Sequence, residues 1–193
     1  MRIVDLSREV QGRIPCLLFQ THPKIPLTRI ETPAFINRRG RTVDEFPAES
    51  FMKSAVLLDV SGITEEINDE NLEEAEEEAG VAVREGEVVI LQTGEKETSK
   101  KRRSVFAGLS KNAVDYLRFK GIAGVGVDSP SIDKSETMRA HRVLLQKGIL
   151  VIEDLCNLAE IDQSRFRLVV LPLKMKATAS PARIIALLGE SYW

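Results

Sequence analysis

Apolar residues in the second half of the chain come in short runs, set between stretches of helical period. Residues 55–60 (AVLLDV) are an apolar run of buried-strand length. Residues 63–80 carry Ile67, Leu72, Ala75 and Ala79 as a narrow stripe beneath a strongly acidic face. That pattern predicts a helix capped at Asp69 and stopped at Gly80. Residues 87–91 read as the next strand, ending at Thr93 and Gly94. Ser110 caps a helix bearing Ala113, Val114, Leu117 and Phe119, with Gly121 behind it. Residues 122–127 form a small-residue strand that ends at Asp128. Residues 136–147 read as a helix with Met138, His141, Leu144 and Leu145, closed by Gly148. Residues 149–152 are a short buried strand ending at Glu153, and 167–171 and 182–188 are the last strands.

The first fifty residues show no clear period. They hold Pro15, Pro23, Pro26, Pro33 and Pro47, five of the eight prolines in the chain. Proline fixes its own φ and removes a backbone donor, so this region reads as short strands joined by ordered loops. Strands alternating with helices predict an α/β fold with a mixed, mostly parallel sheet, and the proline-rich start adds antiparallel strands. Residues 1–193 are expected to make one domain. In such sheets the polar residues just past strand ends line the site, which singles out Thr93, Asp128 and Glu153.

Composition narrows the classes of function. The chain has 193 residues, 43% hydrophobic and 29% charged, with a formal net charge of −2. That is a globular balance, with no bulk attraction to nucleic acid or anionic membrane. Neither partner is expected. Two cysteines, Cys16 and Cys156, make no disulfide framework. The opening residues do not read as a signal peptide, and no apolar run approaches the roughly 20 residues of a membrane helix. A cytoplasmic location is the expectation. The acidic stretch 65–78 reads as a solvated helix face. Lys96 and the run from Lys100 to Arg103 read as a surface loop, with an anionic ligand or a second subunit as the other readings.

Gly121, Gly124 and Gly126 trace the outline of a dinucleotide fingerprint, but they lie before or within a strand rather than between strand and helix. No Cys-x-x-Cys, His-Glu-x-x-His or Gly-x-Ser-x-Gly motif is present, and the only histidines are His22 and His141. His141 on a helix and Glu153 at a buried strand end form the pair with most chemical content. A buried ionised carboxylate needs a partner. Imidazole with carboxylate is a structural ion pair, a metal-ligand set or an acid/base pair.

The chain resembles the cyclase or kynurenine-formamidase-like family of metal-dependent hydrolases. The resemblance rests on Asp5-Leu6-Ser7, the 40–45 stretch GRTVDE, the 55–60 run and Leu109-Ser110. It continues through the 126–133 stretch GVDSPSID, His141 with RVLL after it, the 152–158 stretch IEDLCNL, the 171–174 stretch LPLK and the 180–183 stretch SPAR. It implies a swivelling β/α/β domain, a paired divalent metal site, hydrolysis of an amide or related bond, and a homodimer or homotetramer. The family's first ligands come from a segment reading His-x-Gly-Thr-His-x-Asp-Ala-Pro-x-His. Pro33 anchors that segment here, because Gly40-Arg41-Thr42 follows at the family spacing.

On this alignment Ile25 stands at the first histidine, Leu27 at the glycine and Thr28 at the threonine. Arg29 stands at the second histidine, Glu31 at the aspartate and Phe35 at the third histidine, which the family uses for proton transfer. His141 and Glu153 match the remaining two ligands. Isoleucine and phenylalanine cannot coordinate, and arginine has no lone pair to give. One metal position is therefore lost. The other survives on Glu31, His141 and Glu153 as a site for one zinc or manganese ion. In a second reading Arg29 bridges Glu31 and Glu153 and supplies the cation itself, so that no metal is needed. His22 as a replacement ligand is a third.

Two functions stay open. One is a hydrolase of a small amide or formamide with a reduced metal site, Glu31 or Asp128 doing the proton work and Arg29, Phe35 and Thr93 lining the pocket. The other is a catalytically inactive relative that binds a small molecule or acts structurally. Whether the chain is an enzyme is undecided at this level.

Overall fold

The computed structural model describes residues 1–9, 27–94 and 106–189. Cys16, His22, Ile25, Lys96 and the basic run Lys100 to Arg103 lie outside them. The described strands are β1 (Arg2–Asp5), β2 (Arg29–Glu31), β3 (Met52–Asp59), β4 (Glu66–Ile67), β5 (Val88–Gln92), β6 (Gly108–Leu109), β7 (Gly124–Val127), β8 (Leu150–Glu153), β9 (Arg165–Pro172) and β10 (Ala179–Leu188). The helices are α1 (Asp69–Glu78), α2 (Lys111–Phe119) and α3 (Arg139–Gln146).

The architecture is mixed α/β. The main sheet runs β1-β10-β2-β8-β7-β5-β3-β9, and a further pairing of β9 with β10 closes seven of these strands into a barrel. β3, β5, β7 and β8 run parallel to one another. Antiparallel pairings join β8 to β2, β2 to β10, β10 to β9, β9 to β3 and β1 to β10. The expected mostly parallel sheet is thus corrected: antiparallel pairings outnumber parallel ones. Strands of a barrel wrapped by helices are buried on both faces, so apolar runs do not reveal direction. Connection length does. β9 and β10 are joined by residues 173–178, far too short for a parallel crossover. The small parallel pair β4–β6 had no periodic signal.

Side-chain alternation along the strands divides the core in two. Ile30, Ala55, Ile90, Ile152, Leu168 and Ile184 pack with one another inside the barrel. Val56, Leu58, Leu91, Val125 and Val151 pack outward beneath the helices, against Leu72, Leu117 and Leu144. The apolar stripes seen along the helices are the faces that meet this outer layer. α1 starts one residue earlier than expected from Asp69, with Asn68 accepting from the Asn71 N–H and Asn71 accepting from the Asn68 N–H. The Ser110 cap of α2 forms on Ala113 at 3.2 Å. The glycines of β7 have a packing explanation: a Cβ on Gly126 would lie 2.6 Å from Ile90 Cδ1 inside the barrel.

No helix of the described residues is long and apolar enough to cross a membrane.

Candidate metal centre

The site forms on the outer face of the barrel, where β2 meets β8. Arg29 lies directly opposite Glu153 in the antiparallel register, and Glu31 lies opposite Val151. Residues two apart on a strand share a face, so Arg29 and Glu31 project to the same side as Glu153. The intervening Ile30 and Ile152 point into the barrel. α3 then brings His141 over the same face. Glu31, His141 and Glu153 are each almost wholly buried, and one ligand atom from each lies within 4.8 Å of the others.

Arg29 is the cation of this cluster. Its Nε donates to Glu31 Oε1 at 2.8 Å, its Nη1 to Asp154 Oδ2 at 3.1 Å, and its Nη2 to the Pro130 carbonyl at 3.2 Å. Nη2 also donates to Glu153 Oε2. Burial alone would lower the pKa of the guanidinium, but the surrounding Glu153 and Glu31 carboxylates push it up. Glu31 is held below its ordinary value: burial would raise it, and the facing His141 and Arg29 outweigh that cost.

His141 is oriented from behind. Its Nδ1 lies 2.7 Å from Asp133 Oδ2. The same carboxylate accepts from the backbone N–H groups of Ala140 and His141 at 2.9 and 3.0 Å. Asp133 therefore caps the first turn of α3, which has no capping side chain of its own at Met138. This fixes Nδ1 as the protonated nitrogen and aims Nε2 at the cluster. Burial would lower the His141 pKa, but the bond to Asp133 and the facing Glu153 and Glu31 carboxylates push it up to about 11. The shift favours the protonated ring.

The free edge of the cluster lies between His141 Nε2, Glu31 Oε2 and Glu153 Oε1. Nε2 is 3.1 Å from each of the two oxygens. Neither contact has hydrogen-bond geometry, and both Nε2 and Glu31 Oε2 are buried without a hydrogen-bond partner. Glu153 Oε1 accepts from the Ile132 N–H at 2.8 Å. Ligands of a tetrahedral ion with bonds of about 2.0–2.1 Å lie about 3.3 Å apart, so the two distances from Nε2 are close to those between adjacent ligands. Arg29 binds the other oxygen of each glutamate and leaves this edge open. Among the described residues four carboxylates (Glu31, Asp133, Glu153, Asp154) face two cations, Arg29 and protonated His141.

Phe35 covers the cluster with its ring 5.9 Å from the His141 ring, and the residue is 38% exposed. It cannot transfer a proton. Thr93 and Asp128 pair with each other instead of joining the cluster. Asp128 Oδ1 accepts from Thr93 N and Oγ1 at 2.8 and 2.6 Å, and Oδ2 from Gly94 N at 3.2 Å. Burial raises the Asp128 pKa against those bonds. Two participants escaped the sequence reading. Asp133 precedes His141 by eight residues, and its only signal was its place in the GVDSPSID stretch. Asp154 stood in plain view after Glu153, but a strand would have turned it to the opposite face.

The family model Cyclase matches residues 4–134. The chain belongs to the Cyclase family. The match takes in Arg29, Glu31, Phe35 and Asp133 and stops short of His141 and Glu153. Among curated relatives, kynurenine formamidase of Salinibacter ruber is 26% identical over 162 residues, 82% of this chain and 73% of the relative. Kynurenine formamidase of Bacillus cereus is 29% identical over 161 residues with the same coverage. Isatin hydrolase A of Labrenzia aggregata superposes with a TM-score of 0.81 at 21% identity, over 98% of this chain and 94% of its own. A potential metal-dependent hydrolase with cyclase activity gives 0.78 at 22% identity, over 98% and 99%. This Cyclase-family member thus shares the fold of those solved structures.

Proposed function

We propose that the chain is a metal-dependent hydrolase of a small amide or formamide, working with one divalent ion held by Glu31, His141 and Glu153. The observation that carries this reading is that buried His141 Nε2 and Glu31 Oε2 face each other at 3.1 Å without a hydrogen bond, with Glu153 within ligand reach of both. A zinc or manganese ion there supplies Lewis-acid polarisation of a carbonyl oxygen. The rest falls to the chain. Asp133 holds the imidazole with Nε2 forward. Arg29 fixes the two glutamates through their outer oxygens and takes the place of a second cation. With Phe35 inert and Asp128 bonded to Thr93 and Gly94 away from the cluster, proton transfer falls to Glu31 through Oε2, the oxygen that Arg29 does not take. The Phe35 ring shields the cluster from water and offers an apolar wall to substrate. We read the closed barrel with its outer helices as the swivelling β/α/β domain of this family.

The test is metal analysis of protein purified without chelators, alongside hydrolysis of an N-formyl aryl amine. About one ion per chain, lost in Glu153→Ala together with hydrolysis, is expected. Metal-free protein without activity would overturn the reading. A second reading has its own support: Arg29 already bonds to both glutamates, and Phe35 removes the proton carrier. In that case the protein binds a small molecule without turning it over, and it carries no ion.

A further inference from the structure

Glu153 and Asp154 are consecutive, yet both carboxylates reach the same guanidinium. In a continuing strand they would point to opposite faces. The backbone breaks that rule by leaving β8 at Glu153 and entering the left-handed region at Asp154, with φ 59°. Few residues other than glycine adopt it, and aspartate is among those that do. The turn is secured from several sides. The Asp154 N–H donates to the Ser129 carbonyl at 3.0 Å, and its carbonyl accepts from Thr28 Oγ1 at 2.6 Å. Its carboxylate accepts from Arg29 Nη1 at 3.1 Å and lies 3.4 Å from the Leu27 N–H. Backbone conformation found in a sparsely populated region at a candidate site is a pointer to function.

We propose that Asp154 is a positioning residue: it pins the Arg29 guanidinium across Glu31 and Glu153, so that Glu31 Oε2 and Glu153 Oε1 stay turned toward His141. This deepens the metal-dependent reading above and rests on it for its consequence, though not for its geometry. Arg29 binds two carboxylates through Nε and Nη2, and Nη2 also meets the Pro130 carbonyl, so Nη1 is the corner left to be held. The bond from Nη1 to Asp154 fixes the third corner of the fork. With all three corners held, the guanidinium takes the outer oxygens and cannot swing over the inner edge. With Asp154 neutral, Nη1 loses its anionic acceptor and the guanidinium rotates toward the open edge, where it competes with an added cation.

The experiment uses the full chain and three variants: Asp154→Asn, Arg29→Gln and the double variant. Asparagine keeps the volume and the tolerance of left-handed backbone, and circular dichroism checks the fold. The first readout is the Arg29 Nε–H resonance in metal-free protein. It is expected to be resolved and protected from exchange in the wild type and to be lost in Asp154→Asn; an unchanged resonance overturns the proposal. The second is the zinc Kd by competition with a chromophoric chelator. Asp154→Asn is expected to weaken zinc by about ten-fold or more while Arg29 is present, and to stay within about a factor of two in the Arg29→Gln background. Equal weakening in both backgrounds means that Asp154 acts by its own charge, and the positioning role falls. If Asp154→Asn alone does not fold, a folded double variant supports the coupling through Arg29, and an unfolded one beside a folded Arg29→Gln overturns it. A wild type that takes up no zinc removes the metal-dependent reading, and the Nε–H resonance still decides the role of Asp154.

Discussion

At the scale of single residues, charge balance governs this site. Arg29 compensates three carboxylates, two of which are fully buried. Removing one partner of a buried ion pair costs about 3–5 kcal/mol because the other charge is stranded. Arg29→Met should therefore lose stability of that order in urea unfolding, and saturating zinc should restore part of it. No loss on substitution would mean that the carboxylates find other partners. His141 sets the pH dependence. Its folded pKa, about 11, lies above its ordinary value. The stabilisation from its proton is thus fully present below about pH 6.5 and fades as pH rises toward 11. Chelator-treated protein should lose stability steadily from pH 7 to 9, below the ordinary range of Tyr116 and Lys120, whose own pKa values are raised further. His141→Gln should flatten that slope. A wild-type curve already flat over this window would show that the ring is neutral.

At the scale of elements, the turn that carries Phe35 depends on one glycine. The Ala34 N–H donates to the Arg41 carbonyl at 3.1 Å, folding residues 34–41 back on themselves. A Cβ on Gly40 would lie 2.5 Å from the Pro33 carbonyl carbon, which is backbone and cannot yield cheaply. Gly40→Ala should lower Tm by several degrees and disturb the aromatic contact with His141. Gly62→Ala, whose Cβ meets nothing within 4 Å, should leave Tm nearly unchanged. Equal effects at the two positions would remove the steric argument. The turn was readable as a loop from its prolines, and Gly40 entered the sequence comparison only as a spacing marker. The reason for the glycine is a contact across six residues of chain, which no local pattern encodes.

At the scale of the whole molecule, β10 joins the ends of the chain. It pairs with β1 and β2 along one edge and with β9 along the other. Inside the barrel Ile184 is fully buried among residues from both halves of the sequence. Ile184→Ala should cost about 2–5 kcal/mol through the cavity it leaves. Because every strand of the barrel borders that core, the far-UV and near-UV signals should melt together. Separate transitions would show that the outer helical layer holds without the barrel.

The sequence by itself determined where the helices and the longer strands from residue 55 onward lie, because burial imposes a local period of apolar residues. It also singled out His141 and Glu153 as a pair able to bind a cation, and the family resemblance added Glu31 as a candidate ligand and Arg29 and Phe35 as departures. Tertiary structure alone decided the direction of the strands, the closure of the barrel, and which oxygen of each glutamate Arg29 takes. It also drew in Asp133 and Asp154 and left Asp128 with Thr93. Those outcomes depend on register and on one left-handed turn at Asp154. Register and turn geometry are set by packing between segments more than a hundred residues apart in the chain, and no pattern along the sequence records them.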